Sequence, residues 1–378
     1  MNESVGQISL GRKLEIDRFR PSGFDYMRLI LALSVLIPHS ALVAQGEAYG
    51  VWFFAAGAPY FKLILPAFFA LSGFLVAGSM ERSKTLVTFL GLRVIRIYPA
   101  LMVEVILSAL LIGPFVTTLP LGDYFTDPKF FHYLVNVTGH ITYYLPGVFT
   151  TNPKPDIVNL QLWTVPWELI CYLSLTALIL VGGKRSRHIV LAGLAFAFVA
   201  GIVVRVVLPA LKGADTFVPL TGHVWGPELV LNFLCGVTIY LYRDVLPWNR
   251  WWGLAALALS VLLLQFAPAG QYLSILPIGY ATVFLGLCNP RRHRFAGVAD
   301  YSYGVYLYGF VVQQFVAYAL PFTRVWYLNL LFAVPLSLLC GVVSWHLVEK
   351  PAAGLREPLK KLEAAWLRLK ARFPAPWS

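Results

Sequence analysis

Of the chain's 378 residues, 58% are apolar and only 13% charged, about half the charge of a soluble globular protein of this size. That balance excludes a soluble fold and predicts an all-α integral membrane protein. The formal net charge of +12 invites a nucleic-acid partner until the charges are placed along the chain.

Apolar windows of about 19 residues fall near 24–43, 61–79, 94–113, 163–182, 189–210, 225–242, 251–266, 271–288, 302–320 and 326–347. They predict a bundle of about ten transmembrane helices with both termini cytoplasmic. The inside segments are then 1–23, 80–93, 183–188, 243–250, 289–301 and 348–378, and they hold or border 23 of the 30 Lys and Arg. This is the positive-inside pattern, so the basic balance reports topology and needs no nucleic acid. The organisation expected is a cytoplasmic segment 1–23, a transmembrane domain 24–351 and a basic tail 352–378. Polar residues precede the first window, which is long enough to span, so no cleavable signal is read. Cys171, Cys235, Cys288 and Cys340 each sit in an apolar window without metal-site spacing; they read as small core residues, and no metal is expected.

The first window carries three ionisable groups. Asp25 and Arg28 are three apart and share a face; His39, eleven after Arg28, returns to that face three turns and about 20° on. It lies about 16 Å further across the membrane. Pro38 removes a backbone donor beside it, a break tolerated where backbone lines a polar cavity. Singly these residues read as a snorkelling arginine and an interfacial histidine; together they read as a functional face.

In the second window Ser72-Gly73-Phe74 reads by itself as small-residue packing. In the third, Arg93 and Arg96 share one side of the helix start, where guanidinium forks and the helix amino end suit the phosphates of coenzyme A. Positive charge that sets topology, or that binds anionic lipid, is the plainer alternative. The one long external stretch, 114–162, holds an apolar piece, Phe130 to Phe149. It reads as a surface or re-entrant helix, acting as a lid over an acceptor site or as packing. Next, Trp163 and Trp167 flank Glu168, aromatics suited to an interface or a sugar ring beside a carboxylate suited to acid, base or orienting work. Glu104, Arg205, Glu228 and Asp300 lack a local pattern and read at least as readily as structural ion pairs. In the tail, Leu359, Leu362, Trp366 and Leu369 oppose Lys360, Lys361, Arg368 and Lys370, which predicts an amphipathic helix on the inner leaflet.

Taken in order, these pieces resemble the membrane-bound acyltransferase-3 family of bacterial carbohydrate O-acyltransferases. The resemblance rests on Phe24-Asp25-Tyr-Met-Arg28 with His39, Phe68-Phe69-Ala-Leu-Ser72-Gly73-Phe74-Leu75, and Arg93-Val-Ile-Arg96-Ile-Tyr98-Pro99. It continues through Leu162-Trp163-Thr164-Val-Pro-Trp167-Glu168, Ser302-Tyr303-Gly-Val-Tyr306-Leu307 and Glu349-Lys350-Pro351. It covers residues 24–351 and implies a ten-helix core in which Arg28, His39, Arg93 and Arg96 are essential to transfer. In the family many members have a histidine shortly after the Tyr-Leu of the ninth span; here Tyr308 and Gly309 follow Leu307, so a mechanism needing that second histidine is not expected.

The resemblance implies a bacterial inner-membrane O-acyltransferase with no permanently bound cofactor. Its co-substrate is acyl-CoA, acetyl-CoA by preference, and its acceptor a cell-surface or lipid-linked saccharide. Expected catalytic residues are His39, as general base or transient acyl carrier, with Glu168 or Asp25 orienting the imidazole. Arg28, Arg93, Arg96 and Tyr98 are expected at the donor, and Trp163, Trp167 and Ser72 at the acceptor. A transporter or flippase for a lipid-linked saccharide would use the same charges to line a path, and release of CoA thiol separates the two. A nonenzymatic scaffold fits poorly with so many intramembrane charges. Oligomeric state is not legible.

Overall fold

The computed structural model describes residues 8–219, 224–292 and 300–372. The first seven residues of the amino-terminal segment, most of the expected inside loop 289–301 and the last six residues of the tail lie outside the described residues.

The apolar windows fold as helices α1 (Gly23–Gln45), α2 (Ala58–Arg82), α3 (Leu86–Leu107), α4 (Val165–Leu178), α5 (Arg187–Ile202), α6 (Gly226–Leu241), α7 (Arg250–Leu263), α8 (Ile275–Gly286), α9 (Ser302–Ala319) and α10 (Trp326–Ser344). Among the described residues, six stretches are long and apolar enough to cross a membrane, containing α1 to α5 and α10; α6, α7 and α8 are shorter apolar helices. The chain is thus an all-α, multi-pass membrane protein. Strands β1 (Phe217–Pro219) and β2 (Phe266–Pro268), the only named strands among the described residues, pair antiparallel.

Close backbone approach organises the core. A Cβ at Gly73 would stand 2.0 Å from the Phe233 carbonyl oxygen, and one at Gly236 1.9 Å from that of Ala70, so α2 and α6 cross where neither carries a side chain. Gly73 therefore has a structural role, as the small-residue reading anticipates. Helices α3, α4, α5 and α10 each run on into a π turn, at Ser108–Ile112, Ile179–Gly183, Val203–Val207 and Trp345–Glu349. The wider turn rotates the chain beyond it; after α10 it lets Ser344, five residues back, donate to Glu349 Oε1 at 3.1 Å.

The external stretch differs from expectation. Helix covers only Pro128–Leu134 of the apolar piece, succeeded by a 3-10 turn at Val135–Thr138 and Gly139 at φ 89°. The remainder is irregular chain folded into the bundle. Leu145, Val148, Phe149, Val158, Asn159 and Gln161 are buried, and side chains satisfy the backbone that no helix pairs. Gln314 of α9 donates to the carbonyls of Lys154 and Ile157 at 2.9 and 2.8 Å, and Asn159 donates to the Leu307 carbonyl at 2.7 Å. Irregular backbone is tolerated at such depth when protein covers it.

The tail forms α11 (Arg356–Arg372), with Leu362, Trp366 and Leu369 exposed. It is also docked on the bundle. Leu359 packs at Gly91, and Glu363 Oε1 accepts from the backbone N–H and hydroxyl of Thr85, the N-cap of α3, at 2.7 and 2.8 Å.

Candidate active site

Five helices place polar groups around one cavity of about 110 Å³. From α1 comes Arg28, from α2 Ser72, from α3 Arg93 and Arg96, from α4 Glu168 and Tyr172, and from α9 Ser302, Tyr303 and Tyr306. Apolar side chains of α2, Thr164 and Val165 at the start of α4, and Phe233 of α6 complete the wall.

The three arginines are not held alike. Asp300, just before α9, accepts from Arg28 at 2.7 Å and from Arg96 at 2.8 Å, both on Oδ2. Glu349 accepts from the other Arg96 terminal nitrogen at 2.8 Å, and the Tyr303 ring lies 5.0 Å from that guanidinium. Ser302 donates to Asp300 Oδ1 at 2.5 Å. Burial alone would push the Asp300 carboxyl up; Arg96, Arg28 and Ser302 outweigh it and hold the carboxyl well below the usual carboxylate range. Arg93 donates to the Ser79 hydroxyl at 3.0 Å and lies over the rings of Tyr172 and Phe89, at 5.8 and 6.0 Å. Of the three arginines, Arg93 is the one without a carboxylate within 4.0 Å among the described residues, and its buried Nε has no hydrogen-bond partner there.

Glu168 accepts from Tyr172, one turn on, at 2.5 Å and faces the same cavity as Arg93 and Arg96. Tyr306 shares a 2.6 Å hydrogen bond with Thr164 and donates to the Gln161 carbonyl at 3.1 Å. That layer joins α9 to the chain entering α4.

Other expected site residues lie elsewhere. His39 is not on the cavity wall; its ring meets Phe310 edge-on at 5.3 Å, and among the described residues its buried Nδ1 has no hydrogen-bond partner. Phe310 is one turn beyond Tyr306 on α9, so a single turn separates the histidine from the wall. Asp25 lies 3.9 Å from both Arg28 and Arg292. Fourteen residues of helix, about 21 Å, separate it from His39, so Asp25 cannot orient that imidazole. Tyr98 points away and donates to the Thr138 carbonyl at 3.4 Å; two residues of helix turn it about 200° from Arg96. Trp163 and Trp167 pack against the main core rather than lining the cavity, Trp167 across Gly226.

Of the four charges without a local pattern, Asp300 is an ion-pair hub. Glu104 instead accepts from Asn159 and Ser108, at 2.8 and 2.9 Å. Arg205 and Glu228 approach buried Lys62, forming a second charged cluster, with the Arg205 guanidinium 5.0 Å over the Trp225 ring. Among the described residues no ion pair within 4.0 Å joins these three, and Glu228 Oε1 and the neighbouring Tyr272 hydroxyl have no hydrogen-bond partner.

Residues 22–348 match the family model described as an acyltransferase domain, and the chain belongs to that family. It is an acyltransferase. Among curated proteins it is 29% identical over 346 residues to an O-acetyl transferase of Shigella phage Sf6, covering 86% of this chain and 94% of that one. It is 28% identical over 371 residues to nodulation protein 10 of Rhizobium leguminosarum bv. viciae, covering 89% and 95%. No solved structure matches.

Proposed function

We propose that this acyltransferase moves an acyl group, acetyl by preference, from cytosolic acyl-CoA to a hydroxyl of a cell-surface or lipid-linked saccharide in a bacterial inner membrane. On the reading of ten spans with both termini cytoplasmic, the arginine end of the cavity faces the cytosol, where the donor is. The observation that supports the reading is the cavity itself, in which Arg28, Arg93 and Arg96 converge with Glu168 and with apolar side chains of α2. The name of the phage relative supports an O-acetyl product.

Arg93 takes a CoA phosphate first, with Arg96 and Arg28 supplying further positive charge from their fixed pairs. The acyl thioester extends away from the arginines. His39 accepts the proton of the acceptor hydroxyl as its oxygen attacks the thioester carbonyl. The new ester forms as the carbon–sulfur bond breaks, and the CoA thiolate leaves and takes a proton, so the transfer balances without a further co-reactant. Glu168 contributes charge at the cavity wall facing Arg93 and Arg96.

The test is thiol release by purified protein given acetyl-CoA and lipid-linked or cell-surface saccharide. Free CoA thiol should appear in step with acetylated glycan. Glycan movement across a vesicle membrane without thiol release would establish the transporter reading instead.

A further inference from the structure

We infer that the tail helix α11 is part of the donor site, with Arg356 supplying a guanidinium for the phosphate at the nucleotide end of the donor. The inference rests on the donor reading above and adds a residue beyond the family match, which ends at residue 348.

Helix α11 docks by one face. Arg356, Leu359 and Glu363 stand at i, i+3 and i+7, positions that share one side of a helix. Leu359 packs at Gly91, and Glu363 accepts from the backbone N–H and hydroxyl of Thr85 at 2.7 and 2.8 Å. The two helices therefore run in opposite directions, Leu359 beside Gly91 and Glu363 beside Thr85. Arg356, three residues and about 4.5 Å before Leu359, is carried toward Arg93 and Arg96. These two arginines and Asp300 are its charged neighbours.

Docking thus sets a further guanidinium beside two others, and the nearby carboxylates are already engaged. Asp300 holds Arg28 and Arg96 through Oδ2 and Ser302 through Oδ1, and Glu349 holds Arg96 and Ser344. Among the described residues no carboxylate lies within 4.0 Å of Arg93 or Arg356. Arg356 is exposed and is not part of the cavity wall, whereas Arg93 is. A donor whose thioester end enters the bundle leaves its nucleotide end outside, on the side of Arg356. A phosphomonoester there carries close to two negative charges and three acceptor oxygens. It turns the repulsion among the guanidinia into attraction to a shared anion, bound by the fork of Arg356 while the pyrophosphate meets Arg93. An anionic lipid headgroup offers the same phosphate chemistry, and the exposed Leu362, Trp366 and Leu369 suit α11 to a leaflet, so the experiment has to separate the two sources.

Affinities for CoA and for dephospho-CoA, which lacks the 3′-phosphate, are measured on purified chains in neutral detergent free of anionic lipid. Arg356→Gln should weaken CoA binding by about tenfold or more, the worth of a charge-assisted bond, and leave dephospho-CoA within about threefold. Glu363→Ala, which removes the anchor to Thr85, should weaken CoA binding in the same direction although it touches no phosphate. Without donor, Arg356→Gln should melt no earlier than the native chain, because it removes a like charge. Unchanged CoA affinity in Arg356→Gln overturns the inference, as does an equal loss for CoA and dephospho-CoA, or a melting temperature that falls together with the affinity. Stabilisation by phosphatidylglycerol that the native chain shows and Arg356→Gln lacks, with CoA affinity unchanged, overturns it in favour of the lipid headgroup. Failure of the native chain to bind CoA at all would instead remove the donor reading, and the two failures are thereby distinguished.

Discussion

Arg93 and Arg96 are three residues apart on one face of α3, yet Arg96 is clasped by Asp300 and Glu349 at 2.8 Å each while Arg93 meets a serine hydroxyl and two aromatic rings. Spacing makes the two equivalent; the fold does not. Arg96 neutralises Glu349, only 3% exposed, and half of Asp300. Arg93→Ala should therefore weaken CoA binding by about 1.5–3 kcal/mol, the worth of a charge-assisted bond, and leave thermal unfolding in detergent almost unmoved. Arg96→Ala should lower stability as well, by about 3–5 kcal/mol, because it leaves buried carboxylates uncompensated. Paired measurements of CoA affinity and melting temperature check both. Equal melting losses in the two variants would contradict the division of labour.

Asp300 makes the same network sensitive to acid in a defined way. Its folded-state carboxyl titrates below the unfolded value, so its stabilisation is fully present above an unfolded value near 4. It is lost only as pH falls through the lower folded value. Asp300→Asn should melt earlier than the native chain by a margin that stays constant from pH 8 to about pH 5. A margin that collapses between pH 7 and pH 6 would place some other titrating group in control.

How much is legible in the sequence depends on how local each signal is. Apolar windows sit on helices α1 to α10 because hydrophobic length is a property of a continuous segment. The cavity's arginines and Glu168 are legible because each motif fixes its own helical face. Partnerships between segments are not. Nothing near Asp300 or Glu349 says that Arg96, 204 and 253 positions away, closes on both. Their motifs are visible as Ser302-Tyr303 and Glu349-Lys350-Pro351, but without roles. Tyr98 falls away from the expected donor site because motif membership does not carry helical phase. The piece Phe130 to Phe149, expected as one surface or re-entrant helix, is helical only as far as Leu134 with a 3-10 turn to Thr138; the chain after it is held in part by bonds from Gln314, far along the sequence.

The Lys62–Arg205–Glu228 cluster allows a test independent of the donor site. Glu228 is 3% exposed and Lys62 1% exposed, and the carboxylate is the negative charge set against two cations. Glu228→Gln keeps the shape and removes that charge, leaving like charges facing one another in low dielectric. Its melting temperature should fall, and Glu228→Gln combined with Lys62→Met should recover part of the loss. CoA affinity should stay within about twofold of the native chain in both. If the double variant melts below the single one, the two side chains do not compensate each other.

The proposed role of His39 can be tested apart from donor binding. It stands eleven residues, about 16 Å, beyond Arg28 on α1, outside the arginine cavity and against Phe310, so it touches nothing assigned to the phosphates. Removing it should leave the cavity walls and CoA affinity intact. In the proposed role of general base it should carry about 10²–10⁴-fold of the transfer rate, and His39→Ala should lose transfer by that factor. His39→Gln, which keeps a polar side chain that cannot take up a proton at neutral pH, should fail equally. A nucleophilic role makes a different demand: an acylated His39 should then accumulate with acetyl-CoA alone and be visible by mass spectrometry of the intact protein. Direct transfer predicts no such adduct and thiol release only when acceptor is present. Transfer by His39→Ala within a few-fold of the native rate would remove the histidine from the reaction and leave Glu168, the carboxylate on the cavity wall, as the next candidate base.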